Sequence, residues 1–259
     1  MQFAFLDIWH VSWMIIYFAG TIGLCFWLKS KSIFFQKKII YSMILFNFVV
    51  HFVGPWIIFD TMEQWLLRST MVNTCAVLVF LSPFLYWQQD KFLKPGWLYM
   101  CIVGAFGLIA FPEYAIGQSP FSFNLIRLFV QHAILLFVPV LMVVLGHEKL
   151  NFRDTWSSCV FYIFILIIVI ANDAILQSLG VTHNMRWWNG AFQWHPGNLY
   201  NVVNIVVPEV FMTVPFGENA GTFMYWPIIY MLPVIALLVF PFSVLITWIL
   251  NKSYHKISG

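Results

Sequence analysis

The charged residues of this chain are confined to short stretches that separate long apolar segments. Only 9% of the residues are charged, against roughly 25% in soluble domains. A membrane-spanning helix needs about 20 mainly apolar residues. Seven segments reach or approach that length, at approximately 9–28, 39–59, 70–88, 97–112, 125–146, 156–178 and 223–250. The sequence therefore predicts an all-α, polytopic membrane helix bundle, a single transmembrane domain over residues 1–259.

Lysine and arginine predict how this bundle is oriented. Ten of the thirteen basic residues fall in four stretches, namely Lys29, Lys31, Lys37 and Lys38, then Lys91 and Lys94, then Lys149 and Arg153, then Lys252 and Lys256. Cytoplasmic loops keep an excess of Lys and Arg, so we expect the N-terminus outside and the C-terminus in the cytoplasm. The alternative is six spans with Gly96 to Phe111 re-entrant or lying partly at the interface, which would move Lys149 and Arg153 to the outer side.

The segments between the spans indicate what the protein contacts. The basic residues are dispersed and form no continuous patch, so no nucleic-acid partner is expected. The outer segment 179–222 is long and rich in tryptophan, including Trp187, Trp188 and Trp194. Tryptophan is enriched at the head-group level, and loops of this length are usually functional or disordered. Two interpretations stay open for this segment: an interfacial aromatic belt, or a lid over an outward-facing pocket.

Polar side chains inside the apolar segments gather toward the predicted outer side. Ionisable groups at membrane depth mark a site, a pathway or a paired structural contact. The residues are His10, Asn47, His51, Asn73, Thr74, Cys75, Asn124, Arg127, Gln131, His132, Asn172 and Asp173. The inner half is expected to be almost purely apolar, which argues against a continuous channel or proton wire.

One cysteine stands out within this outer polar layer. Cys75 is the only cysteine there, and a cysteine thiolate is a strong nucleophile that a neighbouring imidazole can deprotonate. His132 is the best-placed candidate base, and Thr74 is an alternative nucleophile that faces about 100° away on the same helix. The other cysteines fall toward the inner ends of their segments: Cys25, Cys101 and Cys159.

Supporting or substrate-binding roles are expected for the remaining polar residues of the layer, namely Asn73, Thr74, His51, Arg127, Gln131, Asn172 and Asp173. Arg127, Asn73 or Asn172 could donate to a developing oxyanion. Structural roles stay open, because helix cysteines often pack, buried histidines bond across helices and arginines snorkel to phosphates. The histidines and Asp173 lack a tight zinc-ligand spacing such as H-x-x-x-H, so we predict no metal and no cofactor.

Several short motifs stand out along the chain: Met71 to Cys75 followed by Phe80 to Phe84, Gln131 and His132 followed by Pro139, Asn172 followed by Asn184 and Met185, and Tyr225 to Pro227. Together they resemble motifs of the YwaF-like bacterial integral membrane proteins. That family is similar to ADTRP-type transmembrane lipid hydrolases and to a transmembrane phospholipid acyltransferase. The resemblance implies a helical bundle in the bacterial plasma membrane. In it, a Cys or Thr on one helix and a His on another would cleave or transfer an acyl chain of a membrane lipid.

Three functional hypotheses follow from the polar layer. The first is a lipid acyl hydrolase or acyltransferase with Cys75 and His132 in an outward-facing site. The second is a membrane binding or transport component, in which Arg127, Asp173 and the Trp-rich segment hold a small polar or cationic ligand. The third is a non-catalytic assembly protein with an unidentified membrane protein partner, whose polar layer only holds helices together.

Overall fold

The fold is helical throughout the part of the chain that a computed structural model describes, which comprises residues 2–58, 61–110, 112, 115–181 and 235–258. In chain order the α-helices are α1 (Ile8–Lys29), α2 (Ile33–Ile58), α3 (Met62–Ser69), α4 (Thr74–Leu85), α5 (Leu93–Ala110), α6 (Phe123–Val144), α7 (Thr155–Ser178) and α8 (Phe240–Ser258). A 3-10 turn at Phe152–Asp154 precedes α7, and a π-helical turn at Ile235–Val239 precedes α8. The prediction of an all-α bundle is confirmed.

Several of these helices are long and apolar enough to cross a membrane. Within the described residues, five qualify: Ile8–Lys29, Ile33–Ile57, Phe123–Val144, Phe152–Val169 and Ile235–Lys252. A sixth candidate is the pair α3 and α4, which is bent by 70°. The apolar part of α5, Leu93–Ile109, is shorter, in line with the sequence, where this segment is the shortest of the seven. The structure therefore supports a multi-pass bundle with five or six candidate spans.

The break between α3 and α4 corrects the predicted path of the chain. The sequence predicts spans at 39–59 and 70–88 with a loop over 60–69 between them, whereas most of that loop is helical. Thr61 caps α3 by accepting a hydrogen bond from the Gln64 amide at 3.3 Å. Asn73 caps α4 by accepting from the Ala76 amide at 2.9 Å. These side chains satisfy N–H groups at helix starts, and hydrophobic periodicity does not register them.

Helix α6 forms the centre of the bundle. In the most apolar 18-residue stretch of α6, 67% of the residues are buried inside the protein, compared with 17% in the corresponding stretch of α1. Helix α6 packs against α1, α2, α5 and α8, while α5 packs against α7 and α4. A polar side chain on α6 can therefore meet residues from several helices, whereas α1 turns most of its surface toward the surroundings.

The four basic stretches lie at one end of the bundle. Contacts between different stretches show this: Tyr86 Oη donates to the Lys37 carbonyl at 3.3 Å, Lys94 Nζ pairs with Glu148 Oε1 at 2.5 Å, and Asn251 Nδ2 donates to the Leu150 carbonyl at 3.2 Å. The end that carries these contacts, with the segments 30–32, 86–92 and 145–154, is called the basic end below.

Buried hydroxyl groups join three helices in the half of the bundle next to the basic end. Tyr99 on α5 bonds to Thr247 on α8 at 2.6 Å, and Ser243 on α8 donates to Ser158 on α7 at 2.9 Å. All four residues are buried. The expectation that this half is almost purely apolar is therefore corrected. Small hydroxyl side chains do not interrupt an apolar sequence pattern, yet they hydrogen-bond between helices.

The Lys94–Glu148 ion pair predicts a specific pattern of stability changes. Lys94 is almost fully buried, so Lys94→Met should leave the Glu148 carboxylate without its partner. The Glu148 side chain is 28% exposed and keeps part of its hydration, so we expect a loss of roughly 1–3 kcal/mol, less than for a fully buried pair, and a lower thermal unfolding midpoint in detergent. The double variant Lys94→Met/Glu148→Leu should recover most of the loss, because apolar replacement of both partners is often neutral. Lys91→Met, at an exposed lysine, is the matched control. Equal midpoints for Lys94→Met and Lys91→Met would show that the pair contributes nothing.

Candidate functional site

Cys75 lies in the first turn of α4, directly after the break. Its sulfur is 4.0 Å from the Gly104 carbonyl oxygen on α5. A Cβ atom added at Gly104 would come within 3.3 Å of that sulfur, so the glycine permits α4 and α5 to approach closely at the cysteine. Cys75 is partly exposed, whereas Thr74 beside it is only 3% exposed. Of the two predicted nucleophiles, Cys75 is therefore the more accessible.

His132 lies near the middle of α6, and its hydrogen bond determines its tautomer. Its Nδ1 atom is 2.8 Å from the Leu128 carbonyl oxygen one turn earlier. A carbonyl oxygen only accepts hydrogen bonds, so Nδ1 carries the proton and donates it. In the neutral ring Nε2 then holds the lone pair. A general base that accepts a proton at Nε2 needs this tautomer.

Cys75 on α4 and His132 on α6 are both described, and no hydrogen bond joins them in the structure. The Cys75 sulfur lies within electrostatic range of the Tyr17 and Tyr162 hydroxyls. Tyr17 donates to the Phe129 carbonyl at 2.7 Å, three residues before His132. Catalytic hydrogen bonds are often longer without substrate, and the assignment of this pair stays a prediction.

A second group of predicted residues lies where α2 and α6 pack together. Asn47 Nδ2 donates to the Gln131 carbonyl at 3.2 Å. Arg127 lies within electrostatic range of His51, and its Nη2 donates to Asn124 Oδ1 at 3.3 Å. The group formed by Asn47, His51, Arg127 and Gln131 is called the α2–α6 seam below. The structure thus brings together four polar residues that the sequence assigned to one layer.

Several buried atoms in this seam have no hydrogen-bond partner. Within the described part of the chain they are Asn47 Oδ1, His51 Nε2, Arg127 Nε and Gln131 Nε2. Buried polar atoms in proteins are nearly always hydrogen-bonded to protein or water. The seam therefore contains one unpartnered acceptor, Asn47 Oδ1, as well as unpartnered nitrogen atoms.

Of the other predicted supporting residues, Asn172 lies next to the break between α3 and α4. Asn172 on α7 donates from Nδ2 to Thr70 Oγ1 at 3.3 Å and so contacts the break. Asp173 lies in α7, but its side chain is outside what the structure describes. Residues 182–222 of the predicted lid and the motifs at Asn184 to Met185 and Tyr225 to Pro227 lie outside the described residues.

Both ring nitrogens of His10 are hydrogen-bonded. The Leu6 amide donates to His10 Nδ1 at 3.0 Å, and Nε2 donates to the Ile109 carbonyl at 2.9 Å. His10 therefore ties the start of α1 to the end of α5, which is a structural role. In the described ranges no three His, Cys, Asp or Glu side chains lie close enough together to hold a metal ion.

Comparison with known proteins covers nearly the whole chain. A family model described as the TMEM164 family matches residues 5–247. The chain belongs to the TMEM164 family. This match supports a transmembrane family of the TMEM164 and ADTRP type, while the YwaF-like bacterial assignment stays a prediction. No curated protein and no solved structure matches the chain.

In this TMEM164 family member, sequence reasoning missed two residues beside Cys75. Tyr17 is fully buried, although tyrosine in membrane proteins is enriched at the interface. The sequence signal that could have identified Tyr17 was its position in the middle of an apolar segment. Gly104 follows Gly96 by about two helical turns. At Gly96 an added Cβ would come within 2.7 Å of Phe161 Cβ, so the glycines of this apolar helix signalled close helix contacts.

The hydrogen bonds of two histidines predict opposite tautomers. In the neutral ring His132 should carry its proton on Nδ1 and His10 on Nε2, because each of these nitrogens donates to a carbonyl oxygen. Nitrogen-15 NMR of histidine-labelled protein distinguishes the two forms, and His132→Gln and His10→Gln assign the signals. His10 is an internal control of opposite sign. A His132 signal with the proton on Nε2 would contradict the arrangement described here.

Proposed function

We propose that this membrane protein hydrolyses or transfers an acyl chain of a membrane lipid, with Cys75 as the nucleophile and His132 as the general base. The proposal is based on the hydrogen bond of the His132 ring: Nδ1 donates to the Leu128 carbonyl oxygen, so Nε2 is free to accept a proton in the reaction. The resemblance to transmembrane lipid hydrolases and to a phospholipid acyltransferase favours a lipid ester as the substrate.

The proposed reaction proceeds in two steps. First, the Cys75 thiol passes its proton to His132 Nε2 while the sulfur bonds to the ester carbonyl carbon. The carbon–oxygen ester bond breaks, the leaving alkoxide takes the proton from His132, and an acyl thioester remains on Cys75. In the second step His132 accepts a proton from water, in a hydrolase, or from the hydroxyl of another lipid, in a transferase. The oxygen then attacks the thioester, and the thiolate leaves and takes the proton from His132.

The start of α4 can support this chemistry through its backbone. The first N–H groups of a helix have no partner within the helix, and Thr74 and Cys75 occupy these positions. Such groups favour negative charge at a helix start. We propose that they stabilise the oxyanion that forms on the acyl carbonyl, with Asn73 fixing their direction through its cap.

The proposed placement in the membrane follows from the charge pattern. We infer seven spans, with the basic end in the cytoplasm and the N-terminus outside. The YwaF-like resemblance favours the plasma membrane of a bacterium. On this orientation Cys75, His132 and the α2–α6 seam lie in the outer half of the membrane. The segment 179–222 would then be a lid on the outer side.

The catalytic assignment predicts how single variants behave. In nanodiscs that contain phospholipids with a labelled acyl chain, the wild-type protein should acquire a hydroxylamine-sensitive acyl adduct, detected by intact-mass spectrometry. Cys75→Ala should lose both the adduct and acyl turnover. His132→Gln should slow turnover by roughly 100-fold or more, the usual contribution of a general base.

Two further variants make this experiment decisive. Cys25→Ala removes a buried cysteine of α1 near the basic end and should leave adduct and turnover unchanged. Thr74→Ala distinguishes the alternative nucleophile. Undiminished turnover in folded Cys75→Ala protein would overturn Cys75 as the nucleophile, and loss of turnover in Thr74→Ala alone would assign that role to Thr74.

The proposed topology predicts the location of the two chain ends. Short epitope tags at residues 1 and 259 should lie on opposite sides of the membrane if the number of spans is seven. A protease added to intact cells should remove the N-terminal tag and leave the C-terminal one. Tags on the same side would support six spans, and removal of only the C-terminal tag would reverse the orientation. A cytoplasmic marker protein verifies that the cells stayed sealed.

A further inference from the structure

Tyr17 on α1 is hydrogen-bonded to the backbone of α6 three residues before His132. Its hydroxyl donates to the Phe129 carbonyl oxygen at 2.7 Å, and its side chain is 0% exposed. A hydroxyl group buried among apolar side chains costs free energy unless it is hydrogen-bonded. The bond to Phe129 therefore satisfies the hydroxyl and connects α1 to one defined turn of α6.

Aromatic packing holds α1 against the same part of α6. The Trp13 ring stacks on the Phe129 ring, with 4.8 Å between the ring centroids and 6° between the planes. The Tyr17 ring meets Phe129 edge-on at 6.3 Å. Further along the two helices, an added Cβ at Gly20 would come within 3.1 Å of Phe137 Cζ. These contacts do not involve the Tyr17 hydroxyl, so we expect the two helices to stay packed when that hydroxyl alone is removed.

The His132 ring depends on the turn of α6 that Tyr17 contacts. His132 follows Phe129 by less than one helical turn. Its Nδ1 atom lies 2.8 Å from the carbonyl oxygen of Leu128, the residue before Phe129. The backbone that Tyr17 holds is therefore continuous with the backbone that supplies the acceptor for His132. A displacement of this turn would change the hydrogen bond that determines where Nε2 lies.

The Tyr17 hydroxyl is also close to the proposed nucleophile, but it is not placed to donate a proton there. It lies within electrostatic range of the Cys75 sulfur on α4. A tyrosine hydroxyl has one proton to donate, and the Phe129 carbonyl accepts it. Tyr17 thus contacts the helix of the proposed base while lying near the proposed nucleophile, and its hydrogen bond suits a role in geometry.

We propose that Tyr17 is a positioning residue, whose hydroxyl holds the turn of α6 before His132 so that Nε2 of the imidazole stays ready to accept a proton. The link to acyl transfer rests on the proposed function, whereas the effect of Tyr17 on the His132 ring does not. Reacting groups must be held closely, since a misplacement of about 1 Å can lower a rate by roughly 100-fold. A positioning role predicts a lower kcat at an unchanged KM, because substrate binding is not affected.

Tyr17→Phe tests the proposal, because it removes the hydroxyl and keeps the ring. With the labelled phospholipids in nanodiscs, this variant should lower kcat by roughly tenfold or more. Its KM should stay within about twofold of the wild-type value. The nitrogen-15 signals of His132 should shift toward a mixture of the two tautomers, because the hydrogen bond to Leu128 weakens.

Tyr99→Phe is the matched control for this variant. The Tyr99 hydroxyl is also fully buried and bonds to Thr247 at 2.6 Å, but it joins α5 to α8 in the half of the bundle next to the basic end. Each variant loses a buried hydrogen bond between helices, so both thermal unfolding midpoints should fall by similar amounts. Tyr99→Phe should leave kcat and the His132 signals unchanged.

Three results would overturn the positioning role of Tyr17. The first is wild-type kcat in folded Tyr17→Phe protein. The second is an equal fall of kcat in Tyr17→Phe and Tyr99→Phe, which would reduce the hydroxyl to a general stabilising contact. The third is an unchanged His132 signal in Tyr17→Phe protein.

The His132 signals also separate this proposal from the acyl-transfer proposal, because they are recorded without substrate. If folded Cys75→Ala protein keeps full turnover, the role of Cys75 is disproved, while a His132 shift in Tyr17→Phe still supports positioning by Tyr17. If Cys75→Ala abolishes turnover and the His132 shift is absent, acyl transfer stands and the role of Tyr17 is disproved.

Discussion

The break between α3 and α4 is the feature on which the candidate site depends. A helix interrupted within a bundle leaves backbone groups without partners, and inside a membrane each such group costs several kcal/mol. Side chains compensate here. Asn73 accepts from the first turn of α4, and Asn172 contacts Thr70 from α7. The His51 ring lies beside the Thr70 carbonyl. The result is a helix start at Cys75, surrounded by side chains from neighbouring helices.

Helix α6 joins the two polar regions of the protein because it is central. Gln131 and His132 are consecutive, so their side chains differ in direction by about 100° around the helix. Arg127 and Gln131 belong to the seam with α2, while His132 points elsewhere on α6. A buried helix can serve two sites in this way, since different neighbours cover its different faces.

Sequence reasoning located most of the helices well and the contacts among them less well. The predicted segments 9–28, 125–146 and 156–178 agree closely with α1, α6 and α7. Apolar length predicts them because a helix in a membrane must keep its backbone hydrogen bonds internal. The break after α3 was not predicted, because capping depends on single side chains. The hydroxyl contacts of Tyr99 with α8 were missed for a related reason, since an isolated hydroxyl does not alter the apolar pattern.

The sequence by itself determined that this chain forms a helical membrane bundle and that ten of its thirteen basic residues lie in four stretches that share one end. These properties follow from the order of apolar and charged residues along the chain. Only the tertiary structure decided which polar groups are satisfied. Both nitrogens of His10 are hydrogen-bonded, and Nε2 of His132 is left as the acceptor. Within the described residues, Arg127 Nε and Gln131 Nε2 have no partner. The reason is physical: hydrogen bonds act over about 3 Å, and only helix packing determines which atoms come that close.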